Sequence, residues 1–473
     1  MPVDEQHPEY IKYHSQWKRC RDTAEGTDAI KEAKTVYLPM LSGQSGKEYA
    51  AYVDRALFYG AVNRTIQGLV GAVFRKEFVY HYPFEEHIDL LTISGLDLWE
   101  LTRQTVKEIL TVGRFGILVD AADNDTRAFA APYIAENIVN WKAQLIGGKL
   151  KLVLVVLEEH YAVSAQGEDE FSHKTEIQYR VLRLVKIKEL LVYKQEVWRK
   201  VDKQNWTVTQ ALFPLCAGKP LDHIPFFFFN THQSTFMVEK PPLLDLVDMN
   251  LSHYRTSADM EHGAHFTALP TAWIAGFPVN KQFKIGASTA WVSDKIDAKA
   301  GFLEFKGQGL SALSGLKKDK EHLMAILGAR LLEDQRRGAE AADTYRIRQS
   351  GEGGALSAIV RTASDGIKRV LVEIAAWSTG TPEQLKEITF QLNNDFIAEK
   401  MDPEELRQLM EAWQQGGISQ DTFLYQLKQG EILPAGRSIE QEKGLIDLEV
   451  GSNAQSIRGL IPMKSEFEKI AQP

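Results

Sequence analysis

Residues 241–266 read PPLLDLVDMNLSHYRTSADMEHGAHF, and the reading of this stretch decides the architecture. Pro241 and Pro242 stop whatever precedes them, because proline lacks a backbone donor and restricts its own neighbour. Behind them Val247, Leu251, Tyr254, Ala258, Glu261 and His265 recur at helical spacing over about 24 residues, a rod ~35 Å long at ~1.5 Å per residue. A second long helix is expected over 310–333, with Leu313, Leu316, Leu323, Met324, Leu327 and Leu331 on its apolar stripe. The segment 269–309 between them is glycine-rich and carries Trp273, Trp291 and Phe302 in short extended runs, which reads as a small α+β insertion held on the ends of two helices. Residues 333–354 are polar and turn-prone, with Arg336, Arg337, Arg346 and Arg348 beside Gly338, Gly351, Gly353 and Gly354, and read as an arginine-bearing loop. A third long helix follows, its stripe formed by Leu356, Ile359, Val360, Ala363, Ile367, Val370, Leu371, Ile374 and Trp377.

Working outward, Tyr49 to Phe74 reads as one amphipathic helix, and its Gly60, Gly68 and Gly71 are expected where another backbone packs closely. Leu98, Trp99, Val106, Ile109 and Leu110 mark a helix that stops at Gly113, before the short apolar run Ile117–Val119. From 149 to 229 the period changes to two, and strands are expected at 152–157, 175–185, 191–199 and 224–229. Four consecutive phenylalanines, Phe226–Phe229, require a strand buried on both faces. Beyond the third long helix come a short strand, 388–392, and helices at 403–414 and 420–429, the latter capped by Ser419. The sum is an α+β chain.

A length of 473 residues suggests about three domains, and the composition is that of a globular protein. Lys and Arg number 55 against 63 Asp and Glu, a formal charge of −8 that argues against a broad basic face gripping nucleic acid. Cys20 and Cys216 match neither a disulfide framework nor a zinc spacing and fit a reducing compartment. Residues 1–10 carry Asp4, Glu5 and Glu9 and lack the apolar core of a secretory signal. The longest apolar runs, 152–157 and 224–229, fall far short of the ~20 residues of a membrane span.

Motifs of chemistry fail one by one. Gly43-Gln-Ser-Gly46-Lys47 has Leu41 where a phosphate loop needs its first glycine and Glu48 where it needs Ser or Thr. Gly307-Gln-Gly309, with Ala312 three residues on, lacks the βαβ context of a dinucleotide fingerprint and reads as a turn. His262 and His265 are three apart behind Glu261, the wrong order for a HExxH zinc site, and read as surface histidines. Glu85 and Glu86, like Glu404 and Glu405, read as solvated charge, and there is no GxSxG elbow. No catalytic residue, cofactor or metal is expected.

Several short blocks, in order, resemble the portal proteins of tailed double-stranded DNA bacteriophages. They are Tyr37-Leu-Pro39, Arg55-Ala-Leu-Phe-Tyr59, Asn63-Arg64-Thr65, Gly68-Leu-Val-Gly71, Ile224-Pro-Phe226, Pro242-Leu-Leu-Asp-Leu246 with Asn250, Leu327-Gly-Ala-Arg330-Leu-Leu332, Asn394-Asp395-Phe396 and Gly417-Ile418-Ser419. The resemblance spans about Tyr10 to Ile432 and rests on order and spacing, together with the helix, insertion, helix, loop, helix layout. It implies the portal fold: a wing over 1–242, stem helices over 243–268 and 310–333, a small clip over 269–309, and a tunnel loop over 334–354. The long helix and wing return would take 355–395, and a helical crown and tail 396–473. It implies a non-enzymatic ring, a dodecamer, at one capsid vertex, assembled in the bacterial cytoplasm, through which the genome is packaged and ejected. The partners so implied are further copies of the chain, the terminase large subunit, a head-to-tail adaptor, the major capsid or scaffolding protein, and double-stranded DNA passing without sequence readout, with no membrane.

Sliding demands weak contact, and an acidic chain with four arginines close together in one loop suits it. Arg336, Arg337, Arg346 and Arg348 are the expected DNA contacts. Asp245, Asp248, Asp259 and Glu261, against the single Arg255, would keep a bore negative if they face inward, and Lys317, Lys318 and Lys320 could touch phosphate in passing. Two other classes stand beside this reading: a hydrolase or transferase with a degenerate site near Gly307–Gly315 or His262, and another virion protein such as a head-to-tail adaptor, which is usually much shorter.

Overall fold

The structure is a computed structural model that describes residues 2–84, 88, 91–121, 127–163, 171, 173–200, 205–268, 271–277, 291–293, 295–303, 308–329, 354–377, 381–396, 403–429, 432–433, 438–446 and 448. It is mixed helix and sheet, as the pattern of periods requires. The chain divides into two compact units, one of residues 1–74 and 78–394 and one of 75–77 and 395–473.

The first unit opens with α1 (Pro8–Glu25) and α2 (Thr27–Glu32). The sequence reading did not anticipate α1, although Tyr10, Trp17 and Cys20 sit at helical spacing and all three are buried. Arg21 on this helix bridges Glu108 and Glu136 at 2.9 and 2.7 Å and ties it to the rest of the unit. The single helix expected over 49–74 is two, α3 (Gly46–Arg55) and α4 (Ala61–Val73). Ala56 turns extended, and the break is held from outside by Asn250, whose amide donates to the Tyr59 carbonyl at 2.8 Å and accepts from the Val62 N–H. The expected close packing at Gly60, Gly68 and Gly71 is also corrected, since a Cβ at any of them would meet nothing within 4 Å.

After β1 (Val79–His81), α5 (Leu98–Val112) begins at a capping box between Asp97 and Glu100. It ends at Gly113, whose φ of +74° places it in the left-handed region and whose missing side chain lets Pro241 approach, so only glycine suits the position. The chain then enters β2 (Arg114–Ala121) and β3 (Ala128–Ile134), followed by the meander β4 (Ile138–Ile146), β5 (Lys149–Ala162), β6 (Thr175–Ile187), β7 (Leu190–Lys200) and β8 (Trp206–Leu212). The meander is a five-stranded antiparallel sheet in sequence order. A small hairpin, β9 (Leu215–Cys216) and β10 (Lys219–Pro220), leads to β11 (Phe226–Asn230), which adds to β2 to give a second sheet ordered β11-β2-β3. Phe226, Phe228 and Phe229 are buried there and Phe227 is half-buried, so the strand is largely covered on both faces. Arg114 is buried between the rings of Trp141 and Phe228, 4.3 and 4.6 Å from their centroids, and burial pulls its pKa down to about 9.

Next come α6 (Leu244–Ala268), a hairpin of β12 (Thr271–Ala275) with β13 (Lys299–Leu303), and α7 (Gln308–Ala329). The described part of the insertion is thus a β-hairpin; residues 269–270, 278–290, 294 and 304–307 lie outside the described residues. The core closes with α8 (Ala355–Trp377), whose apolar stripe is buried over its length against β11, β2, β3 and α5. Finally α9 (Pro382–Glu387) and β14 (Thr389–Gln391) return the chain to pair with β1.

In the second unit α10 (Pro403–Gln414) and α11 (Gln420–Gln429) form a helical hairpin, with Trp413 stacked on Phe423 at 4.6 Å. Ser419 caps α11 by accepting the Thr422 N–H at 3.2 Å. Lys76 pairs with Asp395 at 2.6 Å.

Candidate functional site

The helices α6 and α7 lie antiparallel, with register fixed by three contacts. A Cβ on Gly263 would meet Leu310 at 3.0 Å, Lys320 donates to the Ser252 carbonyl at 3.2 Å and to Thr256 Oγ1 at 2.5 Å, and His253 Nε2 lies 3.1 Å from Glu321 Oε1. The seam thus combines one close glycine–leucine approach with two polar contacts. Burial lowers the pKa of Lys320, and the nearby Arg255 pushes it the same way.

The base of α6 is packed into the first unit on one face. Leu246, Val247, Leu251, Tyr254 and Ala258 are buried, and Asn250 and Ser257 are fully so. Asp245, Asp248 and Asp259, singled out from sequence, have partners within the chain. Asp245 pairs with Lys240 at 2.7 Å, Asp248 with Arg19 at 3.1 Å, and Asp259 accepts the Tyr52 hydroxyl at 2.5 Å. Arg255 donates to the Tyr37 carbonyl at 2.9 Å. Asp248, Arg19 and Arg255 line an open cleft of about 450 Å³ together with Lys18 and Tyr37. Lys317 is half-buried and Lys318 exposed, without an ion pair among the described residues. Arg336, Arg337, Arg346 and Arg348 lie outside the described residues.

Exposed apolar groups lie along α7 and on the hairpin. Leu316 and Leu323 on α7 are 51% and 43% exposed, although the same helix buries Met324. On the hairpin Trp273 and Phe302 are about half exposed, and the Trp273 indole lies over Gly301, where a side chain would collide with it at 3.0 Å. The sequence carried the signal for these aromatics, but not their position on an exposed two-stranded ribbon.

The rejected motifs acquire local structural explanations. Ser45 caps α3 in a capping box with Glu48, accepting the Glu48 N–H while the Glu48 carboxylate accepts the Ser45 N–H, so the glycine-rich stretch is a helix start. His262 stacks edge-on against Tyr52 at 5.1 Å and contacts Arg55; burial and that guanidinium lower its pKa. Among the described residues no group of three His, Cys, Asp or Glu side chains is placed to hold a metal ion, and no helix is long and apolar enough to cross a membrane.

Residues 242–378, the span from α6 to the end of α8, match a family described as a domain of unknown function (DUF4055). No curated protein matches the chain. Among solved structures, a chain of the neck of an empty GTA particle computed with C6 symmetry is 11% identical, with a TM-score of 0.36 over 84% of this chain and 95% of that one. A chain of the neck of a native GTA particle computed with C12 symmetry is 10% identical, with a TM-score of 0.36 over 85% and 98%. A chain of the virion of a native gene transfer agent particle is 11% identical, with a TM-score of 0.37 over 86% and 99%.

Proposed function

We propose that this chain is the portal subunit of a tailed double-stranded DNA bacteriophage: a non-enzymatic protein that closes into a ring and channels DNA into and out of the capsid. The observation that carries the reading is the antiparallel pair α6 and α7, of 25 and 22 residues, joined through a β-hairpin and followed by the 23-residue α8. That succession is the stem, clip, stem and long-helix order of portals, and the ordered sequence blocks agree with it. In this reading α6 and α7 are the stem, β12 and β13 the clip, residues 334–354 the tunnel loop, and α10 and α11 part of the crown.

The exposed Leu316 and Leu323 supply apolar surface that a single subunit leaves uncovered and a neighbouring copy would cover. A closed ring needs two different complementary faces on each subunit, and long helices provide them. Asp245 and Asp248, each already paired with a cation, would present the bore with little net attraction for phosphate. Lys317 and Lys318, together with Arg336, Arg337, Arg346 and Arg348, would give transient contacts. The ATPase that moves DNA, the terminase large subunit, would dock on the clip, where Trp273 and Phe302 offer aromatic anchors. A head-to-tail adaptor and the capsid or scaffolding protein complete the set of partners.

Native mass spectrometry of the purified protein tests the proposal. A discrete ring, with twelve copies expected, supports it; monomers or dimers at every salt concentration contradict it.

A further inference from the structure

One end of the five-stranded sheet bears apolar side chains that the fold of this chain does not use. Leu145 and Leu150 oppose each other across the Gly147-Gly148 turn and are 73% and 58% exposed. Ile187 and Leu190 oppose each other across the Lys188-Glu189 turn and are 45% and 71% exposed. Since β4 to β8 form an antiparallel meander, both turns lie at the same end. Phe213 and Leu215, about half exposed, join them, because the Tyr193 N–H on β7 bonds the Leu221 carbonyl at 2.8 Å and holds the β9–β10 hairpin alongside. Polar residues would turn these hairpins equally well, and exposed cross-strand pairs of large aliphatics invite association.

The charges at this end are one-sided. Lys151 is paired with Asp222 and Lys186 with Glu189, which uses both of those acids. Lys149, Lys188 and Lys219 are exposed at the three turns and have no ion pair among the described residues. On a chain of net charge −8 such a group is a local exception, so an acidic partner would be drawn here and not by the overall field.

We propose that this end of the sheet docks an acidic amphipathic helical segment of a partner protein. The apolar stripe of that segment rests on Leu145, Leu150, Ile187 and Leu190, and its flanking carboxylates meet Lys149, Lys188 and Lys219. The inference rests on the meander alone and stands whether or not the chain forms a ring.

The test uses the full-length protein and two synthetic helical peptides with the same leucine stripe, one flanked by glutamates and one by lysines, followed by fluorescence anisotropy at about 150 mM salt. The glutamate peptide is expected to bind at least tenfold more tightly than the lysine peptide. Leu150→Ser with Leu190→Ser should weaken it about tenfold, and Lys149→Glu with Lys188→Glu should reverse the preference. All these positions are exposed, so unfolding midpoints should match wild type and serve as the folding control. Equal binding of the two peptides, or wild-type binding by the variants, overturns the proposal. So does binding of phosphatidylglycerol vesicles in place of the peptide, which would identify a membrane surface, or a changed oligomeric state in the leucine variants, which would identify a second copy as the occupant.

Discussion

His253 on α6 and Glu321 on α7 meet at 3.1 Å, with His253 only 2% exposed and its Nδ1 without a hydrogen-bond partner among the described residues. Burial lowers the His253 pKa despite the facing carboxylate, and Lys317 and Lys320 push in the same direction. A histidine whose folded pKa lies below its unfolded value supports the fold when neutral. Its contribution is intact above the unfolded value of ~6.5 and is lost as pH falls through the folded one. His253→Gln, which can still donate to Glu321 but does not titrate, should flatten the acid limb of stability. Urea midpoints compared between about pH 7 and pH 5 check this; equal slopes in wild type and variant would contradict it.

His223 behaves in the opposite sense. Its Nε2 lies 3.2 Å from the Glu373 carboxylate of α8 and its Nδ1 3.1 Å from Asp222, and the hydrogen bond to Glu373 leads in raising its pKa to about 9, against the pull of burial. The folded value exceeds the unfolded one, so the stabilisation is complete below ~6.5 and disappears as pH rises through about 9. The stability difference between wild type and His223→Gln should shrink across that window when thermal midpoints are measured from about pH 6 to pH 10. A constant difference would sink the assignment.

Gly366 sits in the middle of α8 with the buried Phe229 ring over it, and a Cβ there would lie 2.1 Å from the ring. Alanine normally improves a helix by ~1 kcal/mol over glycine. Here overpacking, which costs ~1–3 kcal/mol, opposes it, and Gly366→Ala is expected to destabilise. Gly68→Ala on α4, where nothing lies within 4 Å, should stabilise by up to ~1 kcal/mol. Chemical denaturation of both variants checks the opposite signs.

The three long helices were readable from residues recurring at helical spacing, but only in α8 is that stripe buried over its length, whereas Leu316 and Leu323 on α7 stay exposed. Strands β5, β6, β7 and β11 were readable from alternation or from the phenylalanine run. Others were hidden for physical reasons: β8 is mostly exposed, and β3 carries Pro132 in its interior. The break between α3 and α4 was invisible because its stabiliser, Asn250, is nearly two hundred residues away. Long separation also concealed the candidate site. No local pattern announces that Lys320 binds Thr256, that Asp248 is met by Arg19, or that Tyr52 reaches Asp259.

Replacing Arg336, Arg337, Arg346 and Arg348 together with alanine should leave ring assembly unchanged while DNA retention falls severalfold and becomes less sensitive to salt, because fewer phosphate contacts release fewer counterions. Filter retention of packaged DNA at two ionic strengths reads both effects. Unchanged retention by intact rings would remove these residues from DNA contact.

The most direct measurement is a cryo-electron microscopy map of the purified assembly, detailed enough to trace α6 and α7. The account predicts a closed ring around an opening that passes a double helix, with those two helices from every copy arranged about it. An assembly without a central opening, or a small-molecule cofactor seated in a closed pocket of each subunit, would contradict it.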